Sequence, residues 1–251
     1  VSVVQIVPTP AQGNTPRDIV TDGKYVYVSM YTGVVSRIDP STNTIDKTVA
    51  VGPNPEEMVI VNKSLYVTNS DGNNYNAGYA NGKSVSKISL SDFVEEKKIA
   101  VGLNPTKITA DALGNVLVLC MGDYSATPAT VWKINAEDEA TSMNIPATIM
   151  DIKDNSLYVI NAPYGAPSIT YTVYNTSSGA VEKENFVSAP VDAPAGIAVH
   201  SDGRIFITSY TLVGGFASYK TPGYVSEYSS DGTFVKKYDV GVGAVSMTFL
   251  K

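Results

Sequence analysis

A proline followed by a short apolar run recurs along the chain: PRDIV at 16–20, PEEMVIV at 55–61, PTKITA at 105–110, PATIMDI at 146–152 and PAGIAV at 194–199. The prolines are 39, 50, 41 and 48 residues apart, and AVSMTF at 244–249 opens a further copy 50 residues on, without its proline. After each proline run comes a tight polar turn (TDGK, VNKS, ALGN, KDNS, SDGR) and then a second apolar run (YVYVSM, SLYVTN, VLVLC, SLYVI, RIFITS). Alternation of large apolar with smaller residues in these runs is the period-two signature of β-strands. A variable loop, a third strand, a second polar turn (DPSTN, SLSD, NAEDE, NTSSG, SSDG) and a fourth strand complete each unit. Asp, Asn, Ser and Gly dominate the turns because they tolerate the turn dihedrals or hydrogen-bond their own backbone.

Four antiparallel strands per unit of about 40 to 50 residues, with no helical periodicity, predict an all-β fold of stacked blades, a β-propeller. One propeller domain is expected over residues 1–251, with full blades at 16–54, 55–104, 105–145, 146–193 and 194–243. VVQIV at 3–7 takes the place of a fourth, outermost strand of a preceding blade, and 244–251 that of the first strand of a closing blade. These two cannot pair directly, because the two strands between innermost and outermost positions would separate them. The simplest completion adds roughly 70 to 90 residues before Val1, giving seven four-stranded antiparallel blades. A chain already complete, with a distorted closing blade, is the alternative.

In such a blade the loop from second to third strand emerges on the same rim as the link to the next blade. These loops are long and mutually unlike at Ser70–Lys83, Met121–Ala129, Asn161–Pro167 and Tyr210–Pro222, and short only at Tyr31–Gly33. Seven of the 16 tyrosines fall in them: Tyr31, Tyr75, Tyr79, Tyr124, Tyr164, Tyr210 and Tyr219. Phenols interleaved with Asn, Gly and Ser make a paratope-like surface, with rigid contact area and adaptable hydrogen bonds. The same residues also serve simply to pack long loops down. Arg17, Asn54, Asn69 and Asn104, on or beside the blade links, complete the candidate ligand-binding set, although Asn-Pro is also a plain turn initiator.

Charge narrows the partners. Eighteen basic and 24 acidic residues give a net charge of −6 without a Lys/Arg cluster, so nucleic acid and anionic lipid find no electrostatic footprint. No apolar run approaches the length of a transmembrane helix. The single cysteine, Cys120, ends the run VLVLC and reads as a packed small hydrophobe. The tyrosine-, Asn-, Ser- and Thr-rich composition fits an exported protein.

Catalytic chemistry has little to build on. His200 is the sole histidine and sits beside the SDGR turn, away from the loop-rich rim, without a Ser/Asp or Cys partner in a recognisable arrangement. One His and one Cys cannot supply a haem or zinc site, and no cofactor is expected. Glu56 and Glu57 offer a carboxylate pair for a divalent ion of a lactonase-like hydrolase, but no ring of acids from other blades accompanies them. Trp132, the only tryptophan, is expected to pack between blades.

VTNSDG at 68–73, VSKISL at 85–90, KKIAVGLNP at 97–105 and KTVAVGPNP at 47–55 resemble the YVTN repeat of YncE-like propellers found in bacterial surface-layer-type proteins. The resemblance spans nearly the whole chain. It implies a non-enzymatic protein exposed at the cell surface or outer membrane, lipid-anchored or periplasmic. Within that group, the chain is similar to surface-exposed cobalamin-binding propeller lipoproteins. This likeness implies a corrinoid ligand and a TonB-dependent outer-membrane transporter as partner. A surface-layer or adhesive scaffold that binds other proteins is the alternative.

Overall fold

The computed structural model describes residues 7–8, 14–164 and 168–249. The expected strand at 3–7 lies outside them apart from Val7. The described chain is a multi-bladed β-propeller whose blades fall into two compact units, Val1–Pro146 and Ala147–Lys251.

The first unit holds three blades. Blade 1 is β1 (Pro16–Thr21), β2 (Val26–Met30), β3 (Val34–Asp39) and β4 (Thr44–Ala50); blade 2 is β5 (Pro55–Val61), β6 (Ser64–Asn69), β7 (Ser84–Ser89) and β8 (Val94–Ala100). Blade 3 is β9 (Pro105–Ala110), β10 (Val116–Cys120), β11 (Thr130–Ile134) and β12 (Ala140–Pro146). The second unit holds two. Blade 4 is β13 (Ile149–Lys153), β14 (Ser156–Asn161), β15 (Thr170–Asn175) and β16 (Val181–Glu184). Blade 5 is β17 (Pro194–Val199) and β18 (Ile205–Ser209), then the short pair β19 (Leu212–Val213) and β20 (Phe216–Ala217), then β21 (Tyr224–Tyr228) and β22 (Phe234–Asp239). Each blade is an antiparallel meander in chain order, with β19 and β20 forming a separate two-stranded ladder.

Second strands carry apolar residues on the faces where neighbouring blades of the same unit pack against them. β10 is buried along its whole length. Within the first unit, Tyr27, Val35, Met58, Leu65, Val67, Ile88 and Phe93 fill the space between blades 1 and 2. Val85, Ile99, Ile108, Val116, Val118 and Cys120 do the same between blades 2 and 3. Ile149, Ile160, Tyr171, Phe186, Ile207 and Tyr228 form the core of the second unit. Trp132 packs partly buried against the core shared by blades 2 and 3. Burial pushes the Cys120 thiol up to about 12, which keeps it protonated and inert.

Two sets of polar ties recur between neighbouring blades. On the inner strands, an acid of one blade accepts the backbone N–H of the next: Asp18 from Met58 at 2.8 Å, Glu57 from Ile108 at 3.4 Å and Asp151 from Val199 at 2.7 Å. On the outer strands, a lysine donates to an aspartate carbonyl in the next blade's last turn: Lys47 to Asp92, Lys97 to Asp138 and Lys183 to Asp231.

Two features depart from the sequence pattern. Pro146 does not open the fourth blade; it ends β12, paired with Thr130. An outermost strand accepts a proline there because its outer edge has no ladder partner to lose. Residues 244–249 form no ladder. They run beside β17, where a Cβ on Gly196 would lie 2.1 Å from the Val245 carbonyl oxygen. Phe249 closes the segment against His200 and Phe206, with ring centroids 4.7 and 5.3 Å away.

Candidate functional site

The loop-bearing rim of the first unit is built on the blade links. Asn54 and Asn104 each precede the proline of a first strand and adopt left-handed φ values of 46° and 56°, a conformation Asn tolerates better than other non-glycine residues. This turns their carbonyls toward the end of the second strand, where Asn54 O accepts from Ser70 N and Asn104 O from Met121 N. Their side chains then fasten the loops. Asn54 Nδ2 donates to Tyr31 O at 2.9 Å while its Oδ1 accepts from Asn73 N at 3.1 Å, and Asn104 Nδ2 donates to Gly122 O. Asn69 is wholly buried and donates to Ser84 and Ser86. These three amides, candidate ligand contacts in the sequence, are buried and hydrogen-bonded beneath the loops, and Asn54 also lines the depression described below.

Arg17 and Glu56 form an ion pair at 2.7 Å across the inner strands of blades 1 and 2, and the guanidinium lies 4.8 Å from the Tyr31 ring centre. Burial pushes the Glu56 carboxyl above the ordinary carboxylate range, with Arg17 pulling it back. Glu57 is taken by Lys107 at 2.5 Å and by Ile108 N. Both members of the carboxylate pair thus have cationic partners. Among the described residues no group of three or more His, Cys, Asp or Glu gathers where it could hold a metal ion. His200 Nδ1 lies 2.8 Å from Asp202 Oδ1 in its turn.

Beside the ion pair lies an open depression of about 450 Å³ lined by Asn14, Thr15, Tyr31, Thr32, Pro53, Asn54 and Asn73. No charged side chain lines it. Tyr31 forms one wall; its phenol lies against Gly72, where a Cβ would approach it to 2.1 Å. Gly72 begins a 3-10 segment, Gly72–Ala77, which carries Tyr75 outward, 64% exposed. Tyr79 turns back at φ 56° and meets Tyr124 of the next blade's loop edge-to-face, with centroids 6.1 Å apart. Tyr124 itself is 64% exposed. Asp123, beside it, holds the loop by accepting from Ser125 N and Thr127 N.

In the second unit, Tyr164 is 98% exposed, and Tyr210 meets Tyr219 at 4.9 Å. The ladder β19–β20 inside that loop was not anticipated. Its signal was the Gly214-Gly215 pair between two apolar dipeptides, a hairpin signature.

No family model matches the chain, and no curated protein does. Solved structures do match. Hydrazine synthase of Kuenenia stuttgartiensis superposes with a TM-score of 0.67 at 17% identity, over 97% of this chain and 71% of that one. A functionally unknown protein from Desulfotomaculum acetoxidans gives 0.62 at 12% identity, over 90% of this chain and 70% of that one. The dihydro-heme d1 dehydrogenase NirN gives 0.57 at 13% identity, over 91% of this chain but 47% of that one. At such identities the likeness shows the fold, a β-propeller, and carries no activity across.

Proposed function

We propose that this chain is a binding module rather than an enzyme, taking a large, uncharged, amide-rich ligand on the loop rim of its first unit. The carrying observation is the Tyr79–Tyr124 edge contact, which joins two blades' loops into one aromatic surface with Tyr75 and Tyr124 exposed. Exposed aromatic clusters beside polar loops mark contact faces. The ion pairs of Glu56 and Glu57 speak against their service as metal ligands. A corrinoid is the ligand we favour: broad, flat and fringed with amides, it would set part of its edge in the Asn- and Thr-lined depression and lay its face on the phenols. The YVTN-like repeats support the same reading, with capture at the cell surface for an outer-membrane transporter. A protein partner is the second reading, favoured by the outward exposure of the tyrosines.

Calorimetric titration of the folded chain with cyanocobalamin tests it. Binding heat and retained colour are expected, weakened about 10-fold or more in the Tyr75→Ala/Tyr124→Ala double variant, from about 1 to 3 kcal/mol for each buried aromatic contact. Absence of heat and colour in the unmodified chain removes the corrinoid in favour of a protein partner.

A further inference from the structure

The hairpin inside the last long loop is apolar on both faces. Val213 pairs with Phe216 and Leu212 with Ala217, so neighbouring pairs point to opposite sides of the ladder. Yet Leu212, Val213 and Phe216 are 41%, 58% and 72% exposed. A surface hairpin that packs on its own domain buries one face; this one leaves Val213 and Phe216 exposed on one side and Leu212 exposed on the other, with Ala217 half-buried beside it. At its tip Gly214 and Gly215 take φ values of 62° and 86°, and a Cβ on either would meet nothing within 4 Å. The tip therefore stands clear of the fold.

Polarity changes in order from tip to base. Val213 and Phe216 come first, then Leu212 and Ala217, then Thr211 and Ser218, whose backbones are joined by Ser218 N to Thr211 O at 2.9 Å. Tyr210 and Tyr219 follow as an edge-to-face pair, and Lys220 stands after them. No charged residue occurs from Tyr210 to Tyr219. Hydroxyls at the base are bonded locally, Thr211 to Pro222 O and Ser218 to Thr221, both at 2.8 Å. Apolar tip, hydroxyl layer, phenol pair and cation follow the profile of a bilayer interface, where aromatic rings with polar ends gather at the headgroups and amines reach outward.

We propose that Tyr210–Lys220 is a membrane-inserting finger that places Val213 and Phe216 among the acyl chains of a lipid surface and Tyr210 and Tyr219 at its headgroups. This finger belongs to the second unit and does not depend on the ligand reading for the first. With a net charge of −6, the chain gains nothing from anionic lipid, so attachment is apolar and matches or exceeds its strength on neutral vesicles.

The test uses the whole chain with vesicles of phosphatidylcholine, and of phosphatidylcholine with one-fifth phosphatidylserine. In Phe216→Trp, indole emission is expected to shift to the blue on adding either vesicle and to be quenched by brominated phosphatidylcholine. The Val213→Ser/Phe216→Ser variant, with unchanged circular dichroism, is expected to co-sediment about 10-fold less or weaker, by loss of two inserted side chains. Unshifted emission together with equal sedimentation of both proteins overturns the proposal. So does binding that appears only with phosphatidylserine. A chain indifferent to vesicles leaves the finger to an apolar pocket on a protein and equally overturns it. The Tyr75→Ala/Tyr124→Ala variant retains vesicle binding, which separates this result from that of the ligand titration.

Discussion

Thr15, Asn54 and Asn104 occupy the same place, just before a first-strand proline, and all three have φ between 46° and 63°. Each gives its carbonyl to a backbone N–H beyond the second strand, Thr15 to that of Tyr31. The left-handed region suits Asn, but a β-branched side chain there is strained by an amount on the order of 1 kcal/mol. Thr15→Asn is therefore expected to stabilise the chain by about 1 kcal/mol, read as a higher denaturation midpoint in urea. An unchanged or lower midpoint would show that the threonine is accommodated without strain. The links also show why the binding set was only partly legible. Asn-Pro reads identically as turn former and as ligand contact, and only burial separates the two. Asn54, Asn69 and Asn104 went inward, whereas Tyr75, Tyr124, Tyr164 and Tyr219, in loops too long to cover themselves, stayed out.

Strands were the most legible elements, because a blade packed on both sides forces apolar runs at a fixed spacing and polar turns between them. Pro146 misled for a related reason: proline marks a strand position without a ladder donor, and the first residue of an inner strand and the last of an outer strand both qualify. The β19–β20 ladder hid inside a loop because two residues per strand are too few to show a period. What the strand pattern could not reveal was the tie between blades. On the inner strands of the second unit that tie is Asp151, accepting from Val199 N at 2.7 Å. Removing a carboxylate from a backbone N–H at a packed interface costs about 1 to 3 kcal/mol. Asp151→Ala is expected to lower urea stability by about that amount, while Asp154→Asn, which removes a charge on the nearby exposed turn and keeps a side chain suited to its φ of 56°, changes it little. Equal effects from the two would mean that inner-strand acids do not hold blades together.

Among the described residues of the whole molecule, carboxylates lowered by hydrogen bonds in turns and outer strands outnumber those raised by burial. Hydrogen bonds from Ser229 and Thr233 bring the Asp231 carboxyl down to about 2. Asp46, bonded by Arg37, Asp39, bonded by Ser41, and Glu227, bonded by Tyr238 and Arg204, are lowered as well. Glu56 moves the other way through burial. A carboxyl whose folded pKa lies below its unfolded value favours the folded state above the unfolded pKa and loses that contribution as pH falls toward the folded one. The ordinary aspartate value is 3.8 and that of Asp231 about 2, so the loss falls within that interval. Glu56 opposes it, since protonating a buried carboxyl relieves its desolvation. With one group against several, thermal stability is expected to change little from about pH 5 to 8 and to fall below about pH 4, modestly for each group because solvent screens carboxylates near the surface. Melting followed by circular dichroism across this range checks the sign, and Asp231→Asn should flatten the acid limb. A melting temperature that climbs between pH 4 and pH 3 would mean that the buried Glu56 outweighs the turn carboxylates.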